Sequence, residues 1–285
     1  MVCHCISFIN LKGGVGKTTT AVAVGEMLAQ EHRKSVLVID LDPQTNATVT
    51  LIKEERWAEM NRAGHTVAQL FYDKLNPHMP PSFQIEKAIV RNVSTINDGI
   101  SHLELLPSSI QPIDIQEQLP LIAMSRNFMA KPLDVLKAAL QPEIDRERWD
   151  YVLIDCPPSL GTVTKNGLRI STGYIIPTIP DILSTWGIYQ IVDNIFGLAK
   201  DLERPISALG IVATKVHGND LHRRVIADMR AVNSGSSLSP GLFLSRRCLT
   251  ARFHKPSLFL AGLTSMQTSE HSKASMVVPT NLCEI

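Results

Sequence analysis

Residues 5–19 read CISFINLKGGVGKTT, an apolar run that turns into glycines and lysines ahead of a helix-forming stretch. Cys5–Leu11 has the content of a β-strand, and Thr18–Gln30 places Ala21, Val22, Val24 and Leu28 on one side of a helix. A glycine-rich turn between strand and helix is the context a phosphate-binding loop requires. Glycines let backbone N–H groups turn inward around anionic oxygens, and the helix start adds the positive end of its dipole. Lys17 is then placed to bridge β- and γ-phosphates, and the Thr18 hydroxyl to ligate Mg2+. The nucleotide-contacting set predicted here is Lys12, Gly13, Gly14, Val15, Gly16, Lys17, Thr18 and Thr19.

Working outward, Ser35–Leu41 (SVLVIDL) stays apolar until its end, the pattern of a parallel strand covered on both faces. Leu103–Leu106, Tyr151–Asp155, Gly173–Pro177 and Leu209–Thr214 predict further strands. Helices are predicted from Pro132 to about Leu140 and from Asp220 to Val232. Residues 53–102 read as the least regular stretch, and Asn233–Gly241 (NSGSSLSPG) as a flexible loop. Strand–helix alternation with short connections predicts an α/β fold, a doubly wound, mostly parallel sheet with helices on both faces. The expectation is a single domain over 1–285, with 233–285 a divergent C-terminal part of incomplete order. Asp40 and Asp42 follow the second strand, and Asp155 ends a later one. Ligands of open α/β sheets bind beyond the carboxyl ends of the strands, so all three aspartates are predicted at the phosphate site. Helix capping is the alternative use for each.

Composition narrows the class. The chain has 285 residues, 44% apolar and 19% charged, which excludes intrinsic disorder. No apolar run approaches the roughly 18–20 residues that span a bilayer. The opening MVCHCISFIN lacks the basic flank of a signal peptide. Five irregularly spaced cysteines make no disulfide framework, and Cys3 and Cys5 read as small buried thiols on a strand. A soluble, cytoplasmic protein is expected. The net charge of +1 is unevenly spread: Thr214–Pro256 carries +6, leaving −5 elsewhere. Such a window is either a solvated surface or a phosphate-binding patch.

The form of the loop carries a resemblance. The first glycine of the usual pattern would fall at Leu11, and a second lysine stands at Lys12. Lys12–Thr19 (KGGVGKTT) resembles the deviant Walker A signature of the ParA/MinD family of ATPases. VLVIDLDPQ is similar to that family's second motif, and YVLIDCPPSLG to its Walker B strand and switch segment. The resemblance implies that Lys12 acts across an ATP-joined homodimer on the partner's phosphates. It implies Asp42 as the catalytic carboxylate that positions the attacking water, with Lys12 and Lys17 as catalytic cations. Asp40, Asp155 and Thr18 form the Mg2+ shell, and Thr214 in GIVATK lies at the nucleotide. Asn166-Gly167-Leu168 resembles the start of the switch helix. Leu103–Ser108 (LELLPS) and 251–257 (ARFHKPS) match further family segments, whereas the family's Ile-Pro pair has no counterpart near Arg247–Cys248.

Within the family, the basic window resembles the DNA-contacting region of partition ATPases, implying Arg223, Arg224, Arg230, Arg246, Arg247 and Arg252 as phosphate contacts. With eleven residues before Lys12, the short form without an N-terminal DNA-reading domain is expected. The function implied is an ATP-dependent DNA partition ATPase, slow and Mg2+-dependent. Its dimer binds DNA non-specifically on the nucleoid and is released when a centromere-bound ParB-type partner stimulates hydrolysis. The alternative is a MinD-type positioning ATPase on a membrane or protein surface, which the ending MVVPTNLCEI disfavours because it offers no basic amphipathic face. A non-hydrolysing remnant is the third reading. Replacing Arg246, Arg247 and Arg252 by Glu is expected to leave ATP turnover intact while weakening duplex DNA binding and flattening its salt dependence. An unchanged affinity and salt slope would move the patch elsewhere.

Overall fold

The computed structural model of the chain describes residues 3–110, 118, 132–232 and 248–250. They fall into two compact units, Met1–Leu11 with Thr18–Gly173, and Lys12–Lys17 with Tyr174–Ile285.

The first unit holds β1 (His4–Phe8), all but the first residue of α1 (Lys17–Gln30), and β2 (Val36–Asp40). There follow α2 (Asn46–Arg62), α3 (Val67–Leu75), α4 (Ile85–Ala88), β3 (Val90–Arg91) and β4 (Leu103–Leu106). Then come α5 (Val135–Asp145), β5 (Tyr151–Asp155) and α6 (Thr162–Ile170). The strands lie in the order β3-β4-β2-β5-β1. All pairings are parallel except that of β3, which closes this edge antiparallel to β4. Every residue of β2 and β5 is buried, as their unbroken apolar runs require of strands covered on both faces. Register sets the carboxyl ends together: Asp40 stands beside Asp155, and Asp155 beside Phe8.

The parallel α/β expectation holds, and most strands match their predicted spans to within one or two residues. Three expectations are corrected. Residues 53–102 contain most of α2, all of α3 and α4, and β3. The second half of α2 is largely solvated and polar, so no apolar period marks it, and Lys53 breaks the helix with φ 62° and ψ 168°. The helix predicted over Pro132–Leu140 runs instead over Val135–Asp145 and continues past Pro142, forgoing one backbone hydrogen bond. Asn166 lies in the middle of α6 rather than at its start. There its side chain accepts from the Leu136 N–H (3.1 Å) and donates to the Pro132 and Thr162 carbonyls (2.7 and 3.0 Å).

In the second unit, β6 (Gly173–Thr178), β7 (Ser207–Ala213) and β8 (Cys248–Thr250) lie side by side in that order. β8 runs parallel to β7, with Cys248 opposite Ile211. Two helices intervene, α7 (Ile182–Asp201) and α8 (Asp220–Val232). Asp181 caps α7 by accepting the Ser184 N–H at 2.7 Å. No helix among the described residues is long and apolar enough to cross a membrane.

The approach of α6 to the first unit's sheet depends on a glycine. A Cβ at Gly167 would sit 2.9 Å from Leu41 Cδ1 and 3.1 Å from Ile154 Cγ2. Gly167→Val is therefore expected to destabilise the fold by about 2 kcal/mol through overpacking. An unchanged denaturant midpoint would show that α6 can lift from the sheet at no cost.

Candidate functional site

The glycine loop has the backbone its sequence calls for. Gly14 and Gly16 take φ of 70° and 85°, a region closed to most side chains. A Cβ on Gly13 or Gly14 would meet nothing within 4 Å, so that side of the loop is open. Val15 is fully buried, Lys17 is 6% exposed, and Thr18 and Thr19 follow in the first turn of α1. A glycine turn of this kind ahead of a helix, with a lysine beside it, is suited to cradle an anion.

Within the second unit, Thr214 fastens this loop. Its hydroxyl donates to the Val15 carbonyl (2.6 Å), and its N–H to the Thr178 carbonyl at the end of β6 (2.7 Å). A Cβ at Gly16 would come within 3.3 Å of Thr214 Cγ2, so tight packing adds to the strain that its φ of 85° already imposes on any side chain there. Thr214 is 1% exposed and serves the loop's backbone.

Lys12 reaches away along the chain to Asp181, Nζ to Oδ2 at 2.6 Å, with the two side chains 46% and 28% exposed. Burial pushes the Asp181 carboxyl up. The Lys12 ammonium and the Ser184 donors outweigh it and hold the group below the usual range. Nearby, His222 accepts the His217 N–H at Nδ1 (3.0 Å). Burial and His217 lower its affinity for a proton against the opposing pull of Asp181.

In the first unit, the end of β2 is organised around Asp40, which has no exposed surface. Its Oδ2 accepts from the Thr48 N–H (2.9 Å) and hydroxyl (2.7 Å), and its Oδ1 from the Asp42 N–H (3.0 Å). Burial pushes the carboxyl up to about 7 against these donors, with the Asp42 charge adding to the rise. Asp42 is 6% exposed and accepts the Gln44 N–H at Oδ1 (3.0 Å). Its carbonyl accepts from the Ser108 hydroxyl (2.8 Å) and the Thr45 N–H (2.9 Å). Asp155 is fully buried, and its carbonyl accepts the Leu41 N–H at 2.9 Å.

The predicted residues thus assemble in two groups: Lys12–Lys17 with Thr214, and Asp40 with Asp42 and Asp155. On α8, Arg223 is exposed, donates to the Gly218 carbonyl (2.6 Å) and faces Asp220 at 3.8 Å, while Arg224 is exposed. Arg246, Arg247 and Arg252 lie outside the described residues, as does the side chain of Arg230. Among the described residues no cluster of three or more His, Cys, Asp or Glu could hold a metal ion.

Residues 3–208 match the family described as AAA domain. The Bacillus subtilis sporulation initiation inhibitor protein Soj is 32% identical over 209 residues, 73% of this chain and 71% of that protein. The chain belongs to the ParA/MinD family of ATPases. The virulence plasmid ParA family protein pGP5-D of Chlamydia psittaci is 30% identical, covering 73% of this chain and 67% of that protein. An uncharacterized Mycobacterium tuberculosis protein is 30% identical over 78% of this chain, which spans 61% of that relative's length. Among solved structures, cobyrinic acid a,c-diamide synthase of Mycobacterium smegmatis, with ATP analogue and magnesium bound, is 28% identical. It covers 86% of this chain and 89% of its own, with a TM-score of 0.63. Apo McdA of Cyanothece shares the fold, with a TM-score of 0.66 at 22% identity over 93% of this chain and 94% of its own.

Three contacts in this ParA/MinD-family chain escape a motif reading. Asp181 has a local cue, an aspartate ahead of α7 with Ser184 three residues on, the spacing of a helix cap. Its partner Lys12 lies 169 residues away. Thr48 and Ser108 have no cue beyond their place after strand ends. Thr214→Val, which keeps the shape but removes the hydroxyl, should leave the Val15 carbonyl short of a donor and cost about 1 kcal/mol of stability. Nucleotide affinity is expected to fall with it. Unaltered melting and nucleotide binding would show that the loop holds its shape without Thr214.

Proposed function

We propose that this chain is an Mg2+-dependent partition ATPase that binds DNA in its ATP state. The observation carrying the reading is the loop at 12–17, with left-handed Gly14 and Gly16, buried Lys17 and the additional lysine Lys12. The open cradle beside Gly13 and Gly14 fits a polyphosphate, and the Thr18 hydroxyl in the first turn of α1 suits the accompanying magnesium. Asp40 has both oxygens engaged by this chain's donors, so its part in the metal shell is through water. Asp155 takes the Walker B role.

Lys17 binds the β- and γ-phosphates and neutralises charge as it moves to the leaving group. Asp42 orients the attacking water, and Lys12 reaches the phosphates of a second protomer, so turnover depends on homodimerisation. Positioning and charge supply the catalysis, as in phosphoryl transfer generally. The ATP-joined dimer holds duplex DNA through its basic window, and a ParB-type partner at the centromere triggers hydrolysis and release. The similarity to Soj and to the plasmid ParA protein supports the partition ATPase reading. On that reading the chain works as a single ATPase domain resident on the nucleoid.

The test is duplex DNA binding with ATP, ADP or no nucleotide, at several salt concentrations. Binding confined to ATP and falling steeply with salt is expected. Lys17→Ala should lose nucleotide and DNA together, whereas Asp42→Ala should bind ATP and DNA but hydrolyse at least about a hundredfold more slowly. ATP binding without DNA binding in any state would overturn the partition reading, and normal turnover in Asp42→Ala would remove Asp42 from its role.

A further inference from the structure

We propose that Thr48 and Ser108 are positioning residues for Asp42, acting through a closed ring of hydrogen bonds that includes Asp40. The inference rests on the hydrolytic reading above and adds to it the device that aims the carboxylate. The ring can be followed atom by atom. The Asp42 N–H donates to Asp40 Oδ1 (3.0 Å), and Asp40 Oδ2 accepts the Thr48 hydroxyl (2.7 Å). That hydroxyl oxygen accepts the Ser108 N–H (2.9 Å), and the Ser108 hydroxyl returns to the Asp42 carbonyl (2.8 Å).

The ring begins and ends on the two peptide groups that flank the Asp42 Cα. Fixing both holds φ and ψ at Asp42 and so the direction in which its Cβ leaves the backbone. The Gln44 N–H on Oδ1 restrains the side-chain torsions that remain. Asp40, Thr48 and Ser108 are all 0% exposed, so water does not compete for these bonds. Ser108 is held in turn by its own carbonyl, which accepts the Trp57 Nε1–H at 3.1 Å. The ring therefore spans three separate stretches: the end of β2, the first turn of α2, and the residues after β4. A pair of hydroxyls used only to join these elements could end on any backbone group. Here one of them ends on Asp42 itself.

The test separates aiming from stability. Ser108→Ala keeps the backbone bonds and removes only the return to Asp42. It is expected to leave the KM for ATP within about twofold and lower kcat by about tenfold, the scale of one buried hydrogen bond. In an Asp42→Asn background the same substitution should change kcat by less than about twofold, because there is no longer a carboxylate to aim. Thr48→Ser, which retains the hydroxyl, should behave as the wild type, whereas Thr48→Val should reproduce the kcat loss. Hydrolysis of radiolabelled ATP is read under steady-state turnover for kcat and KM, with melting curves run beside it.

An equal loss from Ser108→Ala in both backgrounds would assign the ring to stability alone and overturn the inference. So would full kcat in Ser108→Ala where Asp42→Asn is impaired. A wild-type protein that binds ATP and never hydrolyses it would instead overturn the hydrolytic reading, and the inference with it.

Discussion

A carboxylate sealed from water at the end of a central strand is the constraint around which the first unit is arranged. Asp40 has no exposed surface, and an unsatisfied charge at such a depth would cost several kcal/mol. The chain meets that demand by bending back at Asp42 to offer an N–H. It then starts α2 so that Thr48 offers two more donors. Burial still raises the Asp40 proton affinity, so the donors offset the desolvation only in part. Thr45, in the left-handed conformation with φ 55°, is the local strain that accompanies this tight return.

The second unit solves a different problem, that of keeping a glycine loop from wandering. Glycines give the loop its turn but also leave it the most conformational freedom to lose on ordering. A buried hydroxyl, Thr214, restores order by gripping the Val15 carbonyl from 199 residues away. The same threonine packs against Gly16, so one side chain both holds the loop and crowds a position whose φ already favours glycine. Thr214 thereby couples the end of β7 to the loop in a way its sequence position alone does not announce.

How much of this could be read beforehand follows from how local each signal is. SVLVIDL and YVLID announce buried parallel strands because the two-sided burial is written in consecutive residues. KGGVGKTT announces its loop because two of its three glycines, Gly14 and Gly16, fall where φ turns positive. The second half of α2 was illegible for the opposite reason: it is mostly solvated, so no apolar face repeats along it. Asp40, Asp42 and Asp155 were legible as strand-end carboxylates, since parallel register alone lines up 40 with 155. What the sequence does not announce at Asp40 is its immediate neighbourhood. Thr48 and Ser108 are 60 residues apart, and only the adjacency of β2 and β4 makes them neighbours. Asp181 is similar, being a helix cap by sequence and a lysine's counter-ion by folding.

That last pairing bears on how easily Lys12 can be redeployed. Half-exposed ion pairs contribute roughly 0–1 kcal/mol, and less as salt rises. Asp181 keeps the Ser184 N–H when the lysine departs, so its charge is never stranded and α7 keeps its cap. The Asp181 contact of Lys12 is thus a shallow one, and on the proposed reading it sets little against the pull of a second protomer's polyphosphate, while the vacated carboxylate needs no rearrangement to stay satisfied.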